Sequence, residues 1–387
     1  GKSQAALNRG TVAAKEAFVA SLEEILRETI AREGPITFAR FMGAALYHPE
    51  LGHYSSGRCA IGRRGDYFTS VSVGPLFGKL LAAQFVEVWE KLDRPDEFTI
   101  AEQGAHEGEF AGDVLASLRA DHPECFAATR YRIVEPFPIL WERQQAALET
   151  FAGKIEWYPS LETMAPFRGV HFSNELLDSL PVHLIAAENG SWQERRVTTT
   201  ADGFAFVDQP LADEQLITRT KKIPLLPNER YETEVNLAAL DWLSALAPKL
   251  RAGLILIADY GWPRAEFYAP HRRTGTLQSF AEHRVLPSPL ERVGKSDITS
   301  HVEWTSLAER AEELSLTIGG FADQHHFLTG LLASAPELAG ANNRALQTLL
   351  HPEFLGSRFQ FLGLTTTDAP YFSGFAFGRK RHALGLR

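Results

Sequence analysis

The chain is poor in cysteine: Cys59 and Cys125 are the two thiols among 387 residues. Two thiols cannot build a disulfide framework or a four-cysteine zinc site, so a reducing compartment, the cytoplasm, is expected. No run of about 18 apolar residues occurs, and no membrane span is expected. The stretch from Gly1 to Gly10 lacks the apolar core of a signal peptide. Positive charge is in deficit, with 39 Lys and Arg against 48 Asp and Glu and a net charge of −9. That balance disfavours nucleic acid and anionic membranes as partners, and suits a basic one better. A phosphate-cradling G-x-x-x-x-G-K-S/T loop is absent, which argues against an ATP site of that type. The histidines His271, His283, His325 and His326 show no metal-ligand spacing, so no metal is expected. Internal repeats and low-complexity segments are missing too.

What remains is ordinary globular composition, 44% hydrophobic and 22% charged, with length for a large core. Ala13–Glu33 places Phe18, Leu22, Ile25, Leu26 and Ile30 at helical spacing. Gly34-Pro35 ends that helix, and Thr37 is positioned to cap a second one running to Tyr47. Leu51–Gly74 reads as a loop, rich in glycine and serine yet carrying Tyr54, Tyr67 and Phe68. Aromatic-rich loops of that length are often functional. Pro75–Leu92 reads as a buried helix.

From Phe98 strands alternate with helices. Strands are expected at Phe98–Glu102, Arg130–Glu135, Lys154–Trp157 and Gly169–Ser173, with helices at Phe110–Ala120 and Pro138–Thr150. This βαβαβ rhythm predicts a parallel doubly wound sheet, whose ligands bind beyond the C-terminal strand ends. Val182–Val207 breaks the rhythm with two hairpin signals, Asn189-Gly190 and Asp202-Gly203. A helix at Glu234–Leu250 and a strand at Leu254–Asp259 restore it. Tyr260–Ser300 reads as a long irregular connection, followed by helices at Thr305–Leu314, Gln324–Ala333 and Ala341–Leu350. Arg358–Leu364 and Gly374–Arg379 alternate like an antiparallel pair closing the sheet. The expected parts are a helical and loop region over the site (1–97), the first half of the core (98–181), an inserted β-hairpin element (182–228) and the second half (229–387).

The stretch Glu102-Gln103-Gly104-Ala105-His106-Glu107-Gly108 joins the first strand to its helix. It follows an E-x-G-x-G-x-G nucleotide-binding pattern, with His106 at the middle glycine. Dinucleotides and S-adenosylmethionine (SAM) both use such a turn, with an acid after the second strand for the ribose hydroxyls. Glu135 fits that acid, though it lies further on than the spacing of about 20 usual for dinucleotides. Glu102 favours SAM, because a carboxylate suits a sulfonium and an amino group and would repel a pyrophosphate.

Several blocks, in order, resemble the MidA family of SAM-dependent methyltransferases, which includes a mitochondrial complex I assembly factor. They are Phe41-Met42, Leu46-Tyr47-His48-Pro49, Gly52-His53-Tyr54, Gly65-Asp66-Tyr67-Phe68-Thr69-Ser70 and Ser173-Asn174-Glu175-Leu176-Leu177-Asp178-Ser179-Leu180-Pro181. Asp259-Tyr260-Gly261, Gly275-Thr276-Leu277, His283 and Asp297-Ile298-Thr299 with His301-Val302 continue the series. The resemblance implies a Rossmann-like methyltransferase core, a mostly parallel twisted sheet with an antiparallel end strand, an N-terminal helical extension and an inserted antiparallel β element. It implies SAM as cofactor and a protein arginine as acceptor, with a respiratory-complex subunit as the partner the family suggests. The family loop usually carries glycine where His106 stands.

On that footing Glu102, Gly104, His106, Gly108 and Glu135 are the candidate cofactor residues, with Asp66 and Thr69 closing over the ligand. Glu175 and Asp178, assisted by Asn174, are the candidate catalytic groups. A guanidinium needs carboxylates to hold it by paired hydrogen bonds. A helical turn after the fourth strand would bring both onto one face. Asp259 and His301 are further candidates on the substrate side. Two other readings stay open: a methyltransferase fold that has lost catalysis and serves as a binding or assembly module, and a nicotinamide-dependent oxidoreductase.

Overall fold

In the computed structural model of the chain, residues 20–57, 70–188, 190–224, 229–282, 284–339, 343–351, 355–366, 371–378 and 381–386 are described. Cys59, Asp66, Tyr67, Phe68, Thr69 and His283 lie outside them.

Helix α1 spans Leu22–Glu33, shorter than the apolar spacing suggests. Ser21 stops it at the N-terminus through a capping box with Glu24, whose amide donates to the serine Oγ at 3.2 Å. The short strand β1 (Ile36–Thr37) leads into α2 (Phe38–Tyr47), capped by Thr37 as expected. After the long helix α3 (Leu76–Lys91) come β2 (Phe98–Gln103), α4 (Glu109–Asp121), the short α5 (Pro123–Ala128) and β3 (Thr129–Val134). Then follow α6 (Pro138–Ala147), β4 (Ile155–Tyr158) and β5 (Phe167–Asn174).

An antiparallel sheet interrupts the core: β6 (His183–Glu188), β7 (Ser191–Thr199) and β8 (Phe204–Pro210). Helix α7 (Glu214–Thr220) links it to β9 (Tyr231–Val235), which pairs with β6, while β1 pairs with β7. Glu234 therefore sits in a strand, and α8 begins later than the periodicity suggests, at Leu237–Leu246. Asn236 sets that start by accepting the Ala239 amide at 2.9 Å.

The core resumes with β10 (Leu250–Trp262) and the short α9 (Arg264–Phe267). The region read as irregular holds a small sheet, β11 (Gln278–Ala281), β12 (Arg284–Val285) and β13 (Asp297–Thr299), in the order β12-β11-β13. Next come β14 (Val302–Glu303), α10 (Trp304–Glu313), β15 (Thr317–Asp323), α11 (Gln324–Ser334), α12 (Asn343–Leu350) and β16 (Phe359–Thr365).

The main sheet runs β15-β16-β10-β5-β2-β3-β4. The five strands from β10 to β4 pair in parallel, and β16 pairs antiparallel with both β10 and β15. This is the mixed α/β architecture the resemblance implies. The partner of β16 is β15; of the expected strand Gly374–Arg379, residues 374–378 form no strand and Arg379 lies outside the described residues. Gly319 and Gly320 hide β15 from the hydrophobic pattern. The Phe375 ring occupies the space over Gly320 and Gly363, where a Cβ would come within 2.1 and 2.5 Å of it. Ser373–Phe375 forms one tight helical turn, tied to α3 by Glu87 and Gln84.

Alternate strand residues feed opposite faces of the sheet. Ile100, Phe172 and Leu256 join α3, α4 and α11 on one side; Ala101, Ile255 and Ile257 join α8 and α10 on the other. Phe110, in the first turn of α4, stacks on Phe172 of β5 with ring centroids 4.6 Å apart. That contact fixes the helix N-terminus beside β5. Strand order reverses around β2, so the loops after β2 and β5 diverge and leave a crevice between them.

The three central strands approach closely at one level. A Cβ on Gly253 would lie 1.9 Å from the Gly169 carbonyl, and one on Gly169 would lie 1.9 Å from the Thr99 carbonyl. Both glycines have positive φ. Gly169→Ala should lower stability by at least ~2 kcal/mol, whereas Gly153→Ala, which meets open space, should lower the urea midpoint much less. Equal midpoints for the two variants would contradict this packing.

Candidate functional site

The crevice beside β2 is lined by the two loops it separates. After Gln103 the chain turns through Gly104 (φ +80°), His106 (φ +49°) and Gly108 (φ +84°) before α4 begins. The glycines take left-handed conformations without strain; His106 takes one at a cost of about 1–2 kcal/mol. The Gly108 amide closes the turn on the Ala105 carbonyl at 2.8 Å. Helix α6 clamps the turn from outside. Gln144 Nε2 donates to the His106 carbonyl at 2.8 Å, and Arg143 pairs with Glu107 at 3.1 Å.

Glu102 ends β2 buried, accepting the Tyr131 hydroxyl at 2.7 Å, and burial pushes its carboxyl up to about 7. Glu135, just past β3, is also buried and pushed up to about 7. Its oxygens accept the Phe137 amide at 3.0 Å and Gln144 Nε2 at 3.1 Å. Glu102, Gly104, His106, Asn174 and Glu175 surround one narrow space; Glu135 stands one strand away and does not line it. Asn174 is 8% exposed and its Nδ2 donates to Glu175 at 3.0 Å. Its Oδ1 is buried with no hydrogen-bond partner. An orphan acceptor beside a carboxylate and a glycine turn suits a ligand bearing an amino group and positive charge.

The chain after β5 is a left-handed turn, not a helix. Glu175 has φ +52° while its amide still donates to the Ala258 carbonyl of β10 at 3.0 Å. The next residues fold back over Asp259. The Asp259 carboxylate is fully buried and accepts the amides of Leu177 at 2.8 Å, Asp178 at 3.3 Å and Tyr260 at 2.8 Å. The turn thereby presents Glu175 and Asp178 to a second, wider cavity of about 480 Å³. Asp259 does not line that cavity; its oxygens face backbone amides.

Aromatic and acidic groups make the wall. Tyr54, Tyr260, Trp262 and Phe280 line it together with Asp297, His301 and Arg358. Tyr54 donates its hydroxyl to Asp297. The His301 ring lies against Tyr260 and Trp262, with centroids 5.9 and 4.4 Å apart. Its Nδ1 has no hydrogen-bond partner, and burial lowers its pKa to about 4. Burial, followed by the Asp259 charge, pushes Glu175 up to about 8. Asp178 is pushed well above the usual carboxylate range by burial and by the charges of Asp259, Glu175 and Asp297. Glu175 keeps partial exposure, which is toward the cavity. No cluster of metal-binding groups occurs among the described residues.

The structure thus gathers Glu102, Gly104, His106, Asn174 and Glu175 at one space, and His106, Glu175, Asp178 and His301 at the other. His106 and Glu175 belong to both. Sequence reasoning missed Tyr54, Tyr260, Trp262, Phe280, Asp297 and Arg358 as lining residues. The Asp259-Tyr260-Gly261 and Asp297-Ile298-Thr299 blocks carried a signal for three of the neighbouring positions; nothing in the sequence pattern pointed to Arg358. The Gly275-Thr276-Leu277 block also has a physical reason. Glu234 accepts the Thr276 and Leu277 amides at 2.7 Å each, and a Cβ on Gly275 would strike that carboxylate.

Comparison with known proteins agrees with this geometry. The sequence model of a family described as S-adenosyl-L-methionine-dependent methyltransferases matches residues 80–322. The chain is 28% identical to the Drosophila melanogaster mitochondrial homolog of protein arginine methyltransferase NDUFAF7, over 89% of this chain and 84% of that protein. It is 25% identical to the human mitochondrial protein arginine methyltransferase NDUFAF7, over 87% and 81%. A crystal structure of a Burkholderia thailandensis protein bound to S-adenosyl-homocysteine superposes with a TM-score of 0.82 at 28% identity, covering 94% of this chain and 96% of that one. SAM is therefore the cofactor, and the chain belongs to the SAM-dependent methyltransferase family.

Proposed function

We propose that this methyltransferase transfers the methyl group to an arginine side chain of a protein. The observation that carries the reading is the aromatic cavity lined by Glu175 and Asp178, which shares Glu175 and His106 with the cofactor space. The names of the curated relatives support the same acceptor.

Bound SAM supplies a methyl carbon already activated by a sulfonium. The Asn174 Oδ1 acceptor and the Glu102 carboxylate suit its amino group and positive charge. The turn from Gly104 to Gly108 brings bare backbone to the ligand at the start of α4. Glu135, at the end of β3, retains lone pairs for ribose hydroxyls. Asp66 and Thr69 stay candidates for covering the site.

On the acceptor side, a guanidinium and a sulfonium are both cations, and bringing them together in a buried site is unfavourable unless carboxylates face them. Glu175 and Asp178 supply that charge and offer paired acceptors to the guanidinium N–H groups. Tyr260, Trp262 and Phe280 exclude water and offer ring faces to the cation. Asp259 acts by holding the turn that carries both carboxylates. His301, neutral and packed between rings, shapes the wall. Glu175, ionised once the two cations face it, takes the proton that leaves the methylated nitrogen. A respiratory-complex subunit is the acceptor protein suggested by the family resemblance. For location, the cysteine count favours the cytoplasm, while the curated relatives carry mitochondrial names.

Calorimetry should show saturable binding of S-adenosylhomocysteine and none of NAD. A protein that binds neither would be a module on this fold rather than an enzyme. Glu175→Gln should lower transfer to an arginine peptide by about 100-fold or more at saturating cofactor, beyond any change in cofactor affinity. Undiminished turnover would remove Glu175 from the acid–base role.

The buried carboxyls also set a pH dependence for the empty protein. Glu102, Glu135, Glu234 and Asp259 are pushed up to about 7 and Glu175 to about 8 in the fold. The folded state holds more protons than the unfolded one between the unfolded and folded pKa values, so stability falls as pH rises through that window. His106 and His301, lowered to about 4, act oppositely, with their effect complete by about pH 6.5. The melting temperature of the ligand-free protein should therefore fall from pH 6.5 to 8, and fall less in Glu175→Gln. A rise over that interval would contradict the burial of these acids.

A further inference from the structure

The cofactor space and the acceptor cavity share two lining residues, His106 and Glu175. Both are non-glycine residues in the left-handed region, at φ +49° and +52°. Strained backbone of this kind persists where the surroundings hold it, and it gathers at working parts of sites. Here both residues are held. Gln144 donates to the His106 carbonyl, and the Glu175 amide is tied to Ala258.

We propose that His106 is a further catalytic residue: its imidazole accepts a hydrogen bond from the acceptor arginine at the junction of the two spaces, opposite Glu175. The assignment rests on the arginine reading given above. A guanidinium has five N–H donors and no acceptor, so it is best held by groups that only accept on the side facing it. Glu175 and Asp178 provide carboxylates from one loop. His106, from the other loop, reaches the same junction, and no hydrogen bond among the described residues engages its ring nitrogens. The ring is half-buried and stays neutral at physiological pH, its pKa lowered to about 4 by desolvation. A neutral imidazole keeps one lone pair for an N–H donor and adds no positive charge beside two cations. Glycine at this position would give the same turn without strain, so the ring is not needed for the backbone.

Two variants separate chemistry from folding. His106→Gly removes the ring and relaxes the backbone. His106→Asn restores an acceptor in a residue that tolerates the left-handed region. The probe is acetyl-arginine amide added to the S-adenosylhomocysteine-loaded protein, followed by calorimetry and by the ¹⁵N signals of histidine. In the wild type, the His106 ring signal, assigned by its absence from His106→Asn, should shift on adding the probe. Loss of one hydrogen bond should weaken probe binding about tenfold in His106→Gly, with Asn recovering part of it. Both variants are compared at saturating S-adenosylhomocysteine, so that a change at the cofactor space, which His106 also lines, does not enter the probe affinity. If the wild type binds the probe with the His106 signal unmoved and His106→Gly binds it equally well, the assignment is overturned while the arginine reading stands. His106→Gly that tightens S-adenosylhomocysteine and leaves the probe unaffected would make the ring an obstruction, which also overturns it. A wild type that refuses the probe would sink the arginine reading and this assignment with it.

Discussion

One buried carboxylate organises the acceptor side of the molecule. Asp259 is fully buried at the end of β10 and takes backbone amides of Leu177, Asp178 and its own neighbour Tyr260. A buried charge is tolerable only when amides replace the water it has lost. Here those amides belong to the turn after β5, so the need to satisfy Asp259 dictates the path of residues 175–178. Glu175 and Asp178 point into the cavity because of where Asp259 sits. The Asp259-Tyr260-Gly261 block then contributes to the site twice, through the aspartate that shapes the turn and the tyrosine that walls the cavity. Other buried acids work in the same manner. Glu234 holds Thr276 and Leu277, and Thr276 in turn accepts the His301 amide at 3.0 Å.

The parts of the fold that were legible in sequence are those in which one physical signal dominates. Strands β2 to β5 announce themselves as apolar runs between turn residues. The hairpins around Gly190 and Gly203 rest on turn chemistry that needs few alternatives. Where two requirements compete, the pattern misleads. Gly320 leaves room for the Phe375 ring, and with Gly319 beside it β15 lacks two successive side chains and does not read as a strand. The segment holding β11 to β13 is built from strands of two to four residues, too short for any periodicity. At the site, the acids after strand ends were legible because doubly wound sheets place ligands there. Trp262, Phe280 and Arg358 were not, because their common address exists only after remote segments have folded together.

His106 illustrates a different limit. A glycine pattern is read as a requirement for glycine, yet the requirement is on φ, and histidine can meet it when neighbours pay the difference. Gln144 is the neighbour here. It is fully buried, donates to the His106 carbonyl and to Glu135, and accepts the Trp157 indole N–H at 3.1 Å. One side chain on α6 thus holds the cofactor turn and the ribose-side acid in fixed relation. His106 in turn lines both ligand spaces from that clamped position.

The acid cluster has one more implication. Carboxyls that hold protons in the empty site must release them when a cationic guest arrives, since charge is what the guest requires. Occupancy is therefore linked to proton release, and the acceptor's apparent affinity should climb as solution becomes more alkaline, over the same range in which the vacant protein loosens. The protein is most in need of its ligands under the conditions that favour holding them. Its measured heat of binding will contain the heat of protonating whichever buffer collects the released protons.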